Sequence, residues 1–134
     1  MCVKKSILFN IPDLVSIFNA NGEYQFIIFD AKYYNIQLER NKNLRGQPGI
    51  ESITKQYLYQ QAYRPFIEAH GFGNVHNCFL MPTEQKEVIV KGHVSLSMLE
   101  CMGLEKIKVR LLPAKTMFEH YLENTLMGID LLML

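Results

Sequence analysis

Apolar positions in this chain gather into short runs cut by turn formers, and the first two runs give the clearest pattern. Leu14-Val15-Ser16-Ile17-Phe18 precedes the polar string Asn19-Ala20-Asn21-Gly22-Glu23, and Tyr24-Gln25-Phe26-Ile27-Ile28-Phe29 follows it. An Asn-Gly pair suits a type I′ turn, whose two central residues both need φ > 0, so the spacing predicts a β-hairpin with Asn21-Gly22 as its loop. Ala20 then faces Glu23, Phe18 faces Gln25, Val15 faces Ile28 and Asp13 faces Asp30. Alternation along each strand sets Asp13, Val15 and Ile17 on one face with Phe26, Ile28, Asp30 and Lys32.

Further elements follow from the same patterning. Residues 35–49 are polar and rich in turn formers, which predicts a loop beside the end of the hairpin. A helix is expected over about 50–69, with Ile53, Leu58, Ala62, Phe66 and Ala69 near a 3.6 period, His70-Gly71 as its stop and a kink at Pro65. Residues 77–81 read as a short buried strand, 87–96 as a longer one and 107–112 as a third. Pro113 ends the last of these, and a helix is expected over about 114–124. The apolar segment 126–134 either packs on the sheet or forms a surface for a partner. Strands before and after a long helix give an α/β (α+β) expectation: a mixed β-sheet flanked by helices, in one domain over 1–134.

The hairpin arithmetic also raises a chemical question. Directly opposed side chains on paired strands have Cβ atoms roughly 4.5–5.5 Å apart, and like charges at such a spot are destabilising. Asp13 facing Asp30 therefore needs compensation, part of it from Lys32 and the rest from a divalent cation shared by both carboxylates, as Mg²⁺ is usually held. Two other readings stay open. A bulge would turn one carboxylate to the other face, and Lys32 with one of the aspartates would make a plain edge salt bridge. The acid-x-Lys spacing is weak by itself, since about one such match is expected by chance in a chain of this composition. A second match, Glu84-Gln85-Lys86, follows Pro82 in a polar stretch and reads as solvated surface.

Ile11-Pro12-Asp13, Asp30-Ala31-Lys32 with Tyr33-Tyr34, then Ile53-Thr54-Lys55-Gln56-Tyr57-Leu58-Tyr59 and Asn77-Cys78-Phe79-Leu80-Met81-Pro82 together resemble the PD-(D/E)XK nuclease superfamily. The nearer likeness is to the catalytic domain of LlaJI-type restriction endonucleases, relatives of the McrBC-type system, and it runs from about residue 5 to about residue 125. The resemblance implies a restriction-endonuclease-like core and Mg²⁺-dependent hydrolysis of DNA phosphodiester bonds, with Mn²⁺ as a substitute metal. It implies metal binding by Asp13, Asp30 and the carbonyl of Ala31, and water activation by Lys32. Gln56 and Tyr59 would support the centre from the helix, on one face with Lys55; relatives often show a Gln-x-x-x-Tyr spacing there, whereas Gln56 is followed four residues later by Gln60. The residues themselves equally allow an ordinary amphipathic helix with Tyr59 and Tyr63 at the core edge. By analogy the partners are DNA, an NTP-hydrolysing motor subunit and a further copy of the chain. Such nucleases usually carry a helix ahead of the first strand and a DNA-recognition region upstream; neither is expected here, so that either the chain is a fragment or truncated reading frame or a partner supplies those parts, and a catalytically inert assembly or DNA-binding module on the same scaffold is the alternative function.

Composition narrows the remaining classes. The net charge of +1 over 134 residues excludes a dedicated nucleic-acid coat but leaves room for a local phosphate site. Lys4, Lys5, Lys32, Arg40, Lys42 and Arg45 lie in the first third, either beside the proposed site or as solvated surface. His70, His76, His93 and His120 show no i, i+4 pairing, and Cys2, Cys78 and Cys101 are scattered and odd in number. A zinc site and a disulfide framework are both disfavoured, with Cys78 expected as a small core residue. No run is apolar over the ~18 residues of a membrane span, and no secretory leader is evident, so a cytoplasmic location is expected.

Overall fold

The computed structural model describes residues 14–32, 48–104 and 106–134. Strands β1 (Leu14–Ala20) and β2 (Glu23–Ala31) pair antiparallel in the expected register, from Ala20 opposite Glu23 to Leu14 opposite Phe29. Asn21 and Gly22 hold the turn at φ 54° and 90°, a left-handed geometry that a Cβ penalises and that Asn and Gly tolerate best. Asn19 clasps the same turn, its side-chain Oδ1 accepting the Gly22 N–H at 2.8 Å.

Helix α1 (Ile50–His70) returns the chain across the sheet and stops at Gly71, which sits at φ 63° with its N–H turned back to the last helical carbonyls. Strand β3 (Asn74–Thr83) then runs parallel to β2. After β4 (Ile89–Val94) and the short helix α2 (Ser97–Glu100), strand β5 (Ile107–Pro113) inserts between β3 and β4, parallel to the first and antiparallel to the second. Helix α3 (Ala114–Glu123) follows, and a 3₁₀ turn at Ile129–Leu132 lies near the end of the chain. The five-stranded sheet has the order β1-β2-β3-β5-β4. This is the expected mixed sheet flanked by helices, an α+β arrangement.

Both faces of the sheet are covered, which is why Phe26 to Phe29 can be apolar without interruption. On one face Phe26 and Ile28 pack with Ile67, Tyr59 and Tyr63 of α1, and Phe79, Met81, Ile107 and Val109 pack with Ile53 and Tyr57. On the other, Ile27, Phe29, Cys78 and Leu112 meet Leu132, Met127, Ile129 and Leu134. The apolar C-terminal segment therefore packs on the sheet. Arg110, itself buried, fastens it: Nε donates to the Leu132 carbonyl at 2.7 Å and Nη2 to the Met133 carbonyl at 2.9 Å.

The helix pattern needs a correction. Of the stripe expected to face the core only Ile53 is buried, while Leu58 is 60% exposed, Phe66 41% exposed, and Ala62 and Ala69 also face solvent. The inward positions are Ile53, Gln56, Tyr57 and Ile67, with Gln60 and Tyr63 half-buried between them. Polar-tipped side chains fill that face, so the apolar period picks out the opposite one. Pro65 lies exposed within the helix, which continues to His70. Strand β4 is shorter than expected and irregular, with a bulge between Val90 and Gly92, where Gly92 takes φ 109°.

Candidate active site

Asp30 stands at the C-terminal end of β2, level with Phe79 of β3, and Lys32 follows just beyond the strand. Alternation sends both side chains to the face that α1 covers. There the Lys32 Nζ meets the Asp30 Oδ2 at 2.6 Å, with the two side chains only 18% and 11% exposed. A carboxylate buried to this degree is costly unless paired, and the short charge-assisted contact supplies the pairing. The backbone of Lys32 is fixed as well, its N–H donating to the Leu80 carbonyl at 2.8 Å. Its ammonium lies 5.9 Å from the centre of the Phe79 ring, a cation–π distance.

The other expected residues fall into place unevenly. Asp13 lies outside the described residues. Ala31 is the exposed strand residue between the two charges. Gln56 is fully buried, and its Nε2 donates to the carbonyl of Ile28 at 3.0 Å. Ile28 is two residues before Asp30 on the same face, so Gln56 ties the helix to the strand that carries the carboxylate. Tyr59 and Tyr63 pack against Phe26 and Ile28 at the core edge, and Lys55 is half-buried beside them on the helix.

Gln60 and Asn77 were not singled out by sequence reasoning. Asn77 sits opposite Ile28 on β3, and its Nδ2 donates to the Gln60 Oε1 at 2.5 Å. With Gln56 they form a layer of amides between α1 and the sheet. Its Gln56 Oε1 and Asn77 Oδ1 are buried acceptors without a hydrogen-bond partner among the described residues. Each such acceptor costs on the order of 1–3 kcal/mol, and unsatisfied groups of this kind call for an explanation in function or bound water. The one available signal was the glutamine pair at i, i+4, legible only once the buried side of the helix is known. Nearby, the Tyr57 hydroxyl is buried without a well-formed hydrogen bond among the described residues. Burial pushes its pKa up, the Leu96 backbone pulls it partly back, and the Glu100 charge adds to the rise.

Oxygen donors suit a hard cation. The Asp30 carboxylate and a strand carbonyl at Ala31 are the donor types that Mg²⁺ takes alongside several waters. Among the described residues no group of three or more His, Cys, Asp and Glu stands together. Glu84, Gln85 and Lys86 are exposed in the turn after β3, a solvated surface as expected. The histidines make local contacts: Lys108 Nζ lies 3.1 Å from His76 Nδ1, and His120 Nδ1 lies 2.8 Å from Thr125 Oγ1. No described helix is long and apolar enough to cross a membrane.

The profile of the LlaJI restriction endonuclease family matches residues 3–115, a stretch that spans β1 to β5 and holds all six expected site residues. The chain is also similar to a curated protein of Bacillus subtilis (strain 168), the type II restriction enzyme BsuMI component YdjA. The two are 34% identical over 122 residues, which cover 89% of this chain and 24% of that protein. The chain thus spans about a quarter of the relative's length. No solved structure matches. On the length and position of the family match, the chain belongs to the LlaJI restriction endonuclease family.

Proposed function

We propose that this chain is the catalytic domain of a Mg²⁺-dependent endonuclease of the PD-(D/E)XK type, hydrolysing DNA phosphodiester bonds as the cleavage part of a restriction system. The observation that carries the reading is the buried Asp30–Lys32 pair, 2.6 Å apart at the end of a core strand, in a chain whose family is one of restriction endonucleases. In this reading Asp13 and Asp30 would hold the metal together, with the Ala31 carbonyl as backbone ligand. When bound, the cation supplies charge for the phosphoryl oxygens and lowers the pKa of its water.

The remaining roles belong to the chain's own side chains. Lys32, held beside Asp30, would place its ammonium near the attacking water, where a point charge favours hydroxide. Gln56 positions Asp30 by holding the Ile28 carbonyl, and its Oε1, without a partner among the described residues, offers a buried acceptor. Tyr59 keeps α1 seated on the strand. DNA as substrate, and other components as partners, are supported by the relative's description as a component of a type II restriction enzyme. A motor subunit rests on the family likeness.

The test is cleavage of plasmid DNA with Mg²⁺ by the purified chain, beside Asp30→Asn and Lys32→Ala. Loss of a positioned proton-handling group typically costs 10²–10⁴-fold, so each variant is expected to cleave at least about 100-fold more slowly while its far-ultraviolet circular dichroism is unchanged. Equal cleavage by the parent and Lys32→Ala, or none by either at high protein, favours the inert assembly or DNA-binding module.

A further inference from the structure

The face of the sheet away from α1 carries a second concentration of charge. Ile107 and Val109 of β5 pack with Ile53 and Tyr57 of α1, so alternation sends Lys106, Lys108 and Arg110 to the opposite face, each about 6.8 Å from the next. There they line a cleft of about 660 Å³ together with Val90 and His93 of β4 and Leu104. Glu100 is the one carboxylate among the described lining residues, and it already accepts the Ser95 hydroxyl at 2.5 Å. Three cations against one anion in a concave site repel one another, and a bound anion relieves that repulsion.

The local backbone adds a further donor to the row. Counting from Val90, which lies opposite Arg110, strict alternation would turn His93 to the α1 face. The bulge between Val90 and Gly92 inserts one residue, so His93 comes opposite Lys108 and lines the cleft with it. Gly92 allows this at φ 109°, and a Cβ built on it meets nothing within 4 Å. The cleft is therefore open beside the main chain, where a ligand can approach closely. On the other side of Lys108, its Nζ lies 3.1 Å from His76 Nδ1. An ammonium has no acceptor, so that Nδ1 is the unprotonated nitrogen, and the contact steadies the lysine across the sheet.

We propose that this cleft binds the phosphate of a nucleotide, either free or within a strand. Neighbouring strands lie about 4.8 Å apart, so His93, Lys108 and Lys106 are spaced closely enough for their tips to converge on one phosphate through charge-assisted hydrogen bonds. Arg110 gives its hydrogen bonds to main-chain carbonyls and so lends the cleft charge without a contact. The volume is that of a small-molecule site, and the part walled by Val90 and Leu104 leaves room for sugar and base. Asp30 and Lys32 lie on the other face of the sheet, so the phosphate site stands or falls apart from the nuclease reading.

Amide NMR titration of the full chain with pyrophosphate, at fixed ionic strength and pH, reads the site directly. Saturable shifts are expected at Gly92, His93 and Lys108, with the Asp30 and Lys32 amides unmoved. Lys106→Gln should weaken binding by roughly ten-fold, about the worth of one charged hydrogen bond, and Lys106→Gln with Lys108→Gln by roughly 100-fold. Lys106 is exposed, so the single variant keeps the fold and decides the matter even where the double variant does not fold. Lys115→Gln removes the same charge from an exposed site on α3 and should bind as the parent does. A nucleoside monophosphate and a single strand of about ten nucleotides, within the usual span of one strand-binding domain, then identify the source. Tighter binding of the first marks a free nucleotide and tighter binding of the second a strand; both support the site when Lys106→Gln weakens them. Shifts that fail to saturate by about 20 mM, or that fall on residues outside the cleft, overturn the proposal. So does binding that Lys106→Gln leaves unchanged, or a chain that takes pyrophosphate and neither nucleotide probe.

Discussion

Cys78 shows how far a single position follows from its surroundings. Its side chain is fully buried between β2, β5 and the C-terminal segment, and its Sγ lies 3.6 Å from the Phe79 carbonyl oxygen. Burial pushes the thiol up to about 12, against smaller downward pulls from Arg110 and then Lys108. At pH 8 the thiolate fraction is then roughly one in 10⁴, and the thiolate is the reactive form. Native labelling with iodoacetamide, read by peptide mass spectrometry, should modify exposed Cys101 at least about 100-fold faster than Cys78. The linked stability effect has a definite sign. Because the thiol ionises later when folded than when unfolded, the unfolded chain releases its proton first. Stability is expected to be unaffected by this group below about pH 9 and to fall from there toward pH 12. Labelling of Cys78 as fast as Cys101 would contradict the packing.

At the scale of elements, the hairpin and the long helix show why some structure can be read from the sequence and some cannot. The β1–β2 register was legible because Asn21-Gly22 fixes the turn locally and alternation then propagates without reference to the rest of the chain. The pairing of Asp30 with Lys32 was legible as the edge salt bridge. The buried face of α1 was not, because Gln56 and Tyr57 count as polar in a periodicity while the sheet offers them Ile28 and the Phe79–Ile107 layer. Likewise Gln60 and Asn77, about one α1 length apart, meet only through the parallel β2–β3 pairing. The correction has a direct measure. Ile53→Ala removes a side chain only 6% exposed and should cost about 2–4 kcal/mol. Leu58→Gln, on the solvent face, should stay within about 0.5 kcal/mol of the parent. Urea midpoints compare them, and a larger loss at Leu58 would mean the helix is seated by its other face.

For the whole molecule, α1 closes one side of the sheet and the last eight residues help close the other. The tail is not a strand of the sheet, and its described backbone hydrogen bonds are mostly its own turn, such as Leu131 N–H to the Gly128 carbonyl. What holds it is apolar contact plus the Arg110 fork to Leu132 and Met133. Arg110 also donates to the carbonyls of Gly92 and Val109, so one buried guanidinium links the bulged edge strand to the chain's end. No carboxylate pairs with it among the described residues, and four carbonyls share its charge instead. Arg110→Met keeps much of the volume and sheds the desolvation cost of the cation, yet it strips donors from buried carbonyls. The net loss should be roughly 1–3 kcal/mol, and it should be local. Hydrogen exchange of the Leu131 and Met133 amides is expected to accelerate while α1 stays protected. Cys78, lying under the tail, should then label faster than the fall in the urea midpoint alone accounts for. If the tail amides quicken and Cys78 remains as protected as in the parent, the tail is not what covers that side of the core, and the role assigned to Arg110 is wrong.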